Sequence, residues 1–211
     1  MTLVERSHPE SNLAVSGPNP VTVEFFATSG CRRYAEIGVY EGHTAEAIAA
    51  HLKGNGEIHL FDYEDKVAPV AARLRSAGFG NVVAHANSRA LMDSYNWSLM
   101  RLIEAHHVPL FDYVFLDGAH TWAHDALAFL LADRLLEPGG YIDFDDYTWK
   151  LATSPSMRPE VFPDVRRLYS EEQIGEPQVA RVVDLLVRRD ERYEEVVRDR
   201  IFRKSLEPAA R

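Results

Sequence analysis

The sequence has a single cysteine, Cys31, among 211 residues. That excludes an intrachain disulfide and a cysteine-built metal cluster, and it fits a reducing compartment. No apolar run approaches the roughly 18–20 residues of a membrane span. The first twenty residues contain Ser7-His8-Pro9-Glu10-Ser11 and Gly17-Pro18-Asn19-Pro20. They lack the basic start and apolar core of a signal peptide. Positive charge is in deficit: 23 Lys and Arg stand against 32 Asp and Glu, a net charge of −9. A nucleic-acid surface needs a positive field, so neither nucleic acid nor a membrane is an expected partner. Repeats and low-complexity tracts are absent as well. What remains is a cytoplasmic globular chain with a flexible leader over 1–20. A single domain over 21–211 follows, since this length suits one α/β core and is short for two. The sequence leaves open whether it forms a homo-oligomer.

What is present is alternation. Tyr34–Val39, Glu57–Asp62, Asn81–Ala86, Phe111–Asp117 and Tyr141–Asp146 read as strands. Thr44–Leu52, Val67–Ala77, Leu91–His106 and Ala123–Leu136 read as helices between them, the last ended by Pro138-Gly139-Gly140. Leu91, Met92, Leu99 and Leu102 supply apolar positions of the third. Such βαβ units predict an α/β, Rossmann-like doubly wound sheet with right-handed crossovers. After Asp146 the rhythm breaks. Tyr147–Glu176 holds Pro155, Pro159 and Pro163 and has no clear period. A loop this long is expected to be a lid or binding loop over about 147–177, and Tyr147, Trp149, Met157 and Phe162 could stack on a substrate or simply pack on the domain. A helix over Gln178–Arg189 precedes two strands, Tyr193–Val197 and Arg200–Lys204, around an Arg198-Asp199 turn.

The first strand ends in Glu36-Ile37-Gly38-Val39-Tyr40-Glu41-Gly42. Glycines there allow a sharp turn and close approach of a ligand, although a plain strand-to-helix turn would look the same. A pyrophosphate loop wants glycine at its first, third and sixth positions. Here Gly38 is followed by Tyr40 and His43 at those places, which argues against an NAD-binding oxidoreductase. The residues resemble motif I of class I S-adenosylmethionine-dependent methyltransferases, and the resemblance runs from about Arg33 to Asp146. It implies that Glu36, Gly38, Tyr40 and Gly42 hold the methionine part of S-adenosylmethionine. It implies that Asp62, ending the second strand, accepts the ribose hydroxyls, and that Asn87 and Ser88 contact adenine. The C-terminal strand pair resembles the antiparallel strands that complete that family's mostly parallel seven-stranded sheet.

Asp117-Gly118-Ala119-His120 is followed, 28 residues after Asp117, by Asp145-Asp146. Both groups end predicted strands, so a doubly wound sheet brings them to one rim with the glycine loop. Three clustered carboxylates repel unless neutralised, and all-oxygen ligands suit Mg²⁺, with Mn²⁺ or Ca²⁺ as alternatives. Taken singly, Asp117 could be a helix cap and the pair could be solvated. The arrangement resembles the metal-dependent O-methyltransferases of antibiotic and sugar tailoring, of the macrolide-sugar and aminocoumarin-sugar types. That resemblance implies Mg²⁺ on Asp117, Asp145 and Asp146, with Asp117 also beside the cofactor and the reacting groups. It implies His120 as the base, as in the macrolide-sugar branch. The aspartate used in the aminocoumarin branch is replaced here by Ala119. His124 lies four residues from His120 and is expected on the helix surface. The implied reaction is O-methylation of a small-molecule hydroxyl. The alternatives are a metal-free N- or phenolic O-methyltransferase and a non-catalytic S-adenosylmethionine-binding module. Asp143 breaks the apolar pattern of a central strand, so it should lie near the edge of the core or meet a basic group.

Overall fold

The computed structural model describes residues 17–206. Most of the expected leader, residues 1–16, lies outside the described residues. The first element is helix α1 (Pro20–Ser29), in a stretch to which the sequence patterns assign no element. Its signals are local: the Asn19 side chain accepts from the Thr22 N–H as N-cap, Pro20 opens the helix, and Gly30 ends it in the left-handed conformation.

The alternating segments then follow in order: β1 (Arg33–Ile37), α2 (His43–Leu52), β2 (Glu57–Tyr63), α3 (Glu64–Ser76), β3 (Val82–Asn87), α4 (Tyr95–Ala105), β4 (Phe111–Leu116), α5 (Trp122–Leu135) and β5 (Leu136–Phe144). The segment after β5 carries a short 3₁₀ turn, Leu151–Thr153, and helices α6 (Val165–Leu168) and α7 (Glu171–Gly175). Helix α8 (Gln178–Val182) continues as a π-type turn over Val183–Val187, and strands β6 (Tyr193–Val197) and β7 (Ile201–Lys204) close the chain. All seven strands form one sheet in the order β3-β2-β1-β4-β5-β7-β6. Strands β1 to β5 pair in parallel, while β7 runs antiparallel to both β5 and β6. The order reverses between β1 and β4, which is where this architecture opens a crevice. Among the described residues no helix is long and apolar enough to cross a membrane.

Two boundaries differ from the sequence reading. Leu91 and Met92 are 87% and 89% exposed and precede α4. Asp93 accepts from both the N–H and the hydroxyl of Ser88, and its own N–H reaches Ala90, which bends that stretch into a turn. Strand β5 starts at Leu136, directly after α5 and before the glycines rather than at Tyr141, and Leu136 already pairs with Phe111. The register then jumps, so that Tyr141 faces Tyr113. Pro138-Gly139-Gly140 forms this bulge, with Gly139 at φ +84°.

Side-chain alternation along the strands splits the core into two layers. Tyr34, Leu60, Tyr113 and Phe115 pack beneath α1, α2 and α3 with Phe26, Ile48 and Val67. Ile37, Phe61, Val114 and Phe144 pack on the other face with Leu99, Phe129 and Val183. Two carboxylates on the strands are buried within this framework. Glu36, beside Tyr34, is 2% exposed and accepts from the Tyr34 hydroxyl at 2.9 Å. Asp143 is wholly buried, and its Oδ2 accepts from the Tyr113 hydroxyl at 2.8 Å and from Thr22 at 2.7 Å. Arg200, just before β7, brings Nε to 3.0 Å from Asp143 Oδ1. That contact is Coulombic rather than aligned, since neither atom has a hydrogen-bond partner. Asp143 is therefore fully inside the core and does meet a basic group.

These buried carboxyl groups set two expectations for stability. Arg200→Gln leaves Asp143 without its counter-ion and should cost about 3–5 kcal/mol in urea unfolding. Adding Asp143→Asn should recover part of that loss; no recovery would show that the pair is not what holds the strands. Burial holds the Glu36 carboxyl up at about 8 against an ordinary 4.5, the Tyr34 hydrogen bond opposing. A raised carboxyl stabilises the fold while protonated, so its contribution is full below about 4.5 and is lost as pH rises through about 8. Glu36→Gln should flatten the pH dependence of stability across that window, and an unchanged slope would remove Glu36 as its source.

Candidate active site

The glycine loop is fixed by its own glycines and by Asp62. Gly38 sits at φ +90°, and a Cβ there would lie 2.0 Å from the Asp117 carbonyl oxygen. Its smallness thus lets the ends of β1 and β4 approach, a connection reinforced by the Asp117 N–H donating to the Ile37 carbonyl at 2.8 Å. Gly42, at φ +80°, opens α2 where a Cβ would strike Val70. Asp62 Oδ2 accepts from the N–H groups of Val39 and Tyr40 at 2.8 and 2.9 Å. The carboxylate expected for the ribose therefore also shapes the loop. Tyr40 is half-exposed with φ +49°. Asn87 is buried and donates to Ser94 O, Asp93 and Ser98, leaving its Oδ1 unpaired. Ser88 is held by Asp93. Asn87, at the end of β3, and Ser88 after it are thus both tied to the turn that leads into α4.

The acidic residues divide. Ligand atoms of Asp117, His120 and Asp146 lie within 4.8 Å of one another. His120 Nε2 stands 3.8 Å from Asp117 Oδ1 and 3.5 Å from Asp146 Oδ2. Asp145 is occupied elsewhere: Oδ1 accepts from Arg200 Nη1 at 2.6 Å and Oδ2 from the Asn19 side chain at 3.0 Å. The strand alternation, carried one residue past β5, accounts for this, because Asp143 and Asp145 share the side where Arg200 lies. His120 and Asp146 adopt φ +53° and +58°. Such conformations cost energy in non-glycine residues and persist where surroundings over-determine them. Gly118 leaves room for the Tyr95 ring, whose hydroxyl accepts from Ala119 N–H and donates to buried Asp125 at 2.8 Å. The Asp117–His120 turn is thereby locked from below. His124 instead pairs with Thr121.

The electrostatics follow. Burial, then Asp145, Glu36 and Asp146, hold the Asp117 carboxyl well above the usual carboxylate range, with Arg200 opposing. Burial raises Asp146 too, against the opposing pull of His120. Trp149 packs on His120 with ring centroids 5.1 Å apart. The long segment after β5 has its own apolar cluster of Leu151, Val165 and Ile174, with Trp149, Met157, Phe162 and Tyr169 against it. Arg200 and Asn19 are site neighbours that the sequence reading missed. The signal for a cation was Asp143, but nothing in the order of residues chose Arg200 among the tail's basic groups.

A family model described as a methyltransferase domain matches residues 35–147, more than half of the chain. A search of curated proteins returns no match. Among solved structures, the O-methyltransferase TomG from Streptomyces achromogenes, involved in tomaymycin synthesis and in complex with SAM, is 27% identical. The similarity covers 74% of this chain and 68% of that one with a TM-score of 0.50. The SAH-bound methyltransferase PaMTH1 from Podospora anserina shares the fold at 17% identity, over 89% and 77% of the two chains, with a TM-score of 0.56. An O-methyltransferase from Bacillus cereus in complex with SAH does so at 20% identity, over 74% and 72%, with a TM-score of 0.51. The matched segment runs from β1 through the acidic pair, the same stretch that forms the rim, and the chain belongs to the methyltransferase-domain family as a class I, S-adenosylmethionine-dependent enzyme.

Proposed function

We propose that the protein methylates a hydroxyl of a small molecule, with a divalent cation held by Asp117 and Asp146 and with His120 as the base. The observation that carries this reading is the convergence of Asp117, His120 and Asp146 within 4.8 Å beside the glycine loop. The donor set fits a divalent cation. The two carboxylates are hard oxygen ligands, and Asp117 is crowded by acidic groups that a cation would relieve, which leaves His120 free as the base. Asp145, which the family resemblance adds to the ligand set, is engaged by Arg200 and Asn19. When bound, the cation supplies Lewis acidity that lowers the pKa of a hydroxyl it touches.

The chain's own residues do the rest. The loop from Gly38 to Gly42 and the Asp62 carboxylate orient the sulfonium donor, and Asn87 and Ser88 border its base. His120 Nε2 accepts the hydroxyl proton as the oxygen–carbon bond forms and the carbon–sulfur bond breaks in line. S-Adenosylhomocysteine leaves as the neutral thioether. Trp149, packed at a tilt on His120, and the segment over about 147–177 form the acceptor wall and exclude water. An oxygen acceptor is supported by TomG being an O-methyltransferase. A metal-free reading has its own support, because His120 already pairs with Asp146 at 3.5 Å and could serve as a base without a cation.

EDTA should abolish turnover, and Mg²⁺ or Mn²⁺ should restore it. Full activity in EDTA would replace the metal reading with the metal-free one. His120→Ala should lower kcat by about 10²–10⁴ while S-adenosylmethionine affinity in calorimetry stays within a few-fold. An unchanged rate would discharge His120 as the base. If His120→Ala instead weakens Mn²⁺ binding as much as Asp146→Asn does, the imidazole is a ligand.

A further inference from the structure

We propose that Arg200 is a positioning residue, which acts through Asp145 to hold Asp146 toward His120, and that Asp145 is a tether rather than a metal ligand. This rests on the proposed cation at Asp117 and Asp146. The grounds are geometric. Arg200 grips the end of β5 at three levels: its backbone carbonyl accepts from Phe144 N–H at 2.9 Å, its Nη1 donates to Asp145 at 2.6 Å, and its Nε lies 3.0 Å from Asp143. Nη2 donates to Thr22 at 3.0 Å, and Thr22 in turn donates to Asp143. Asn19 takes the second oxygen of Asp145 while its backbone N–H donates to Thr44 Oγ1 at 2.9 Å. Asp145 N–H also donates to the Leu116 carbonyl. Both oxygens and the amide of Asp145 are therefore committed.

The next residue, Asp146, bears φ +58°. A left-handed aspartate relaxes unless its neighbours forbid it. The brace on Asp145 supplies that constraint on one side, and the Trp149 N–H donating to the Asp146 carbonyl supplies it on the other. The guanidinium of Arg200, the residue before β7, thus joins the end of β5 to Thr22 of α1, and Asn19 at the cap of α1 holds the other oxygen of Asp145. The aspartate that points into the site is the one left free of that guanidinium.

The test is a double-mutant cycle read by Mn²⁺ affinity, with S-adenosylmethionine affinity as the control. Arg200→Gln and Asp145→Ala should each weaken Mn²⁺ binding at least fivefold. The double variant should be no weaker than the weaker single variant, and S-adenosylmethionine affinity should stay within threefold throughout. Arg200→Lys should restore part of the Mn²⁺ affinity. Because Arg200→Gln strands Asp143, the same cycle is run in an Asp143→Asn background, where the core charge stays balanced. Tighter Mn²⁺ binding in Arg200→Gln would mean that a freed Asp145 coordinates the cation, and it would overturn the proposal. So would additive losses, or Mn²⁺ and S-adenosylmethionine affinities falling together. If the native protein binds no Mn²⁺ at all, the metal reading itself fails, a result distinct from any of these.

Discussion

The geometry of the rim depends on one guanidinium. Arg200 offsets Asp143 in the core and Asp145 at the surface, and through Thr22 it reaches the first helix. A buried carboxylate without a cation would carry a desolvation cost of several kcal/mol, so this partner is not optional. Even with Arg200 in place, burial keeps the Asp143 carboxyl raised to about 6. The Tyr113 and Thr22 hydroxyls satisfy the oxygen that Arg200 does not face. Such a network is worth more when complete than its pairwise contacts suggest.

Above that brace the site concentrates backbone strain. Among the described residues five non-glycine positions have positive φ, and three of them, Tyr40, His120 and Asp146, line this rim. Glycine at 38 and 118 solves a different problem, the close approach of two chain segments. Gly38 meets the Asp117 carbonyl and Gly118 meets the Tyr95 ring. The glycine loop is therefore as much a joint between β1 and β4 as a cradle for a ligand. Asp62, bonded to two of the loop's N–H groups, belongs to the same joint.

Charge separation within the acidic cluster gives the residues different capacities. Asp143 and Asp145 contact Arg200 directly, while Asp117 and Asp146 lie against His120 and feel Arg200 without touching it. A carboxylate whose charge is already offset has little to gain from a metal, and one crowded by like charges has much. The uneven distribution of one fixed cation thus sorts four acidic residues into a structural set and a chemical set.

The strand–helix alternation, the first five strands and the C-terminal strand pair were legible in the sequence because apolar periodicity is a local property. So was the placing of Asp117 and the acidic pair on one rim, since strand ends in a doubly wound sheet share it, although only Asp146 of the pair turns to Asp117 and His120. Helix α1 went unread although Asn19, Pro20 and Gly30 mark it, because it follows a polar stretch read as a leader. The exposure of Leu91 and Met92 was hidden too, as the Ser88–Asp93 contacts that bend the chain there outweigh the apolar pattern. The division of labour between Asp145 and Asp146 could be decided only by tertiary structure. The two are adjacent and chemically identical, and what distinguishes them is a guanidinium 55 residues away from Asp145, brought near by an antiparallel strand pairing. Sequence alone determined which carboxylates gather at the rim; the packing of α1 and β7 against β5 decided which of them faces the chemistry.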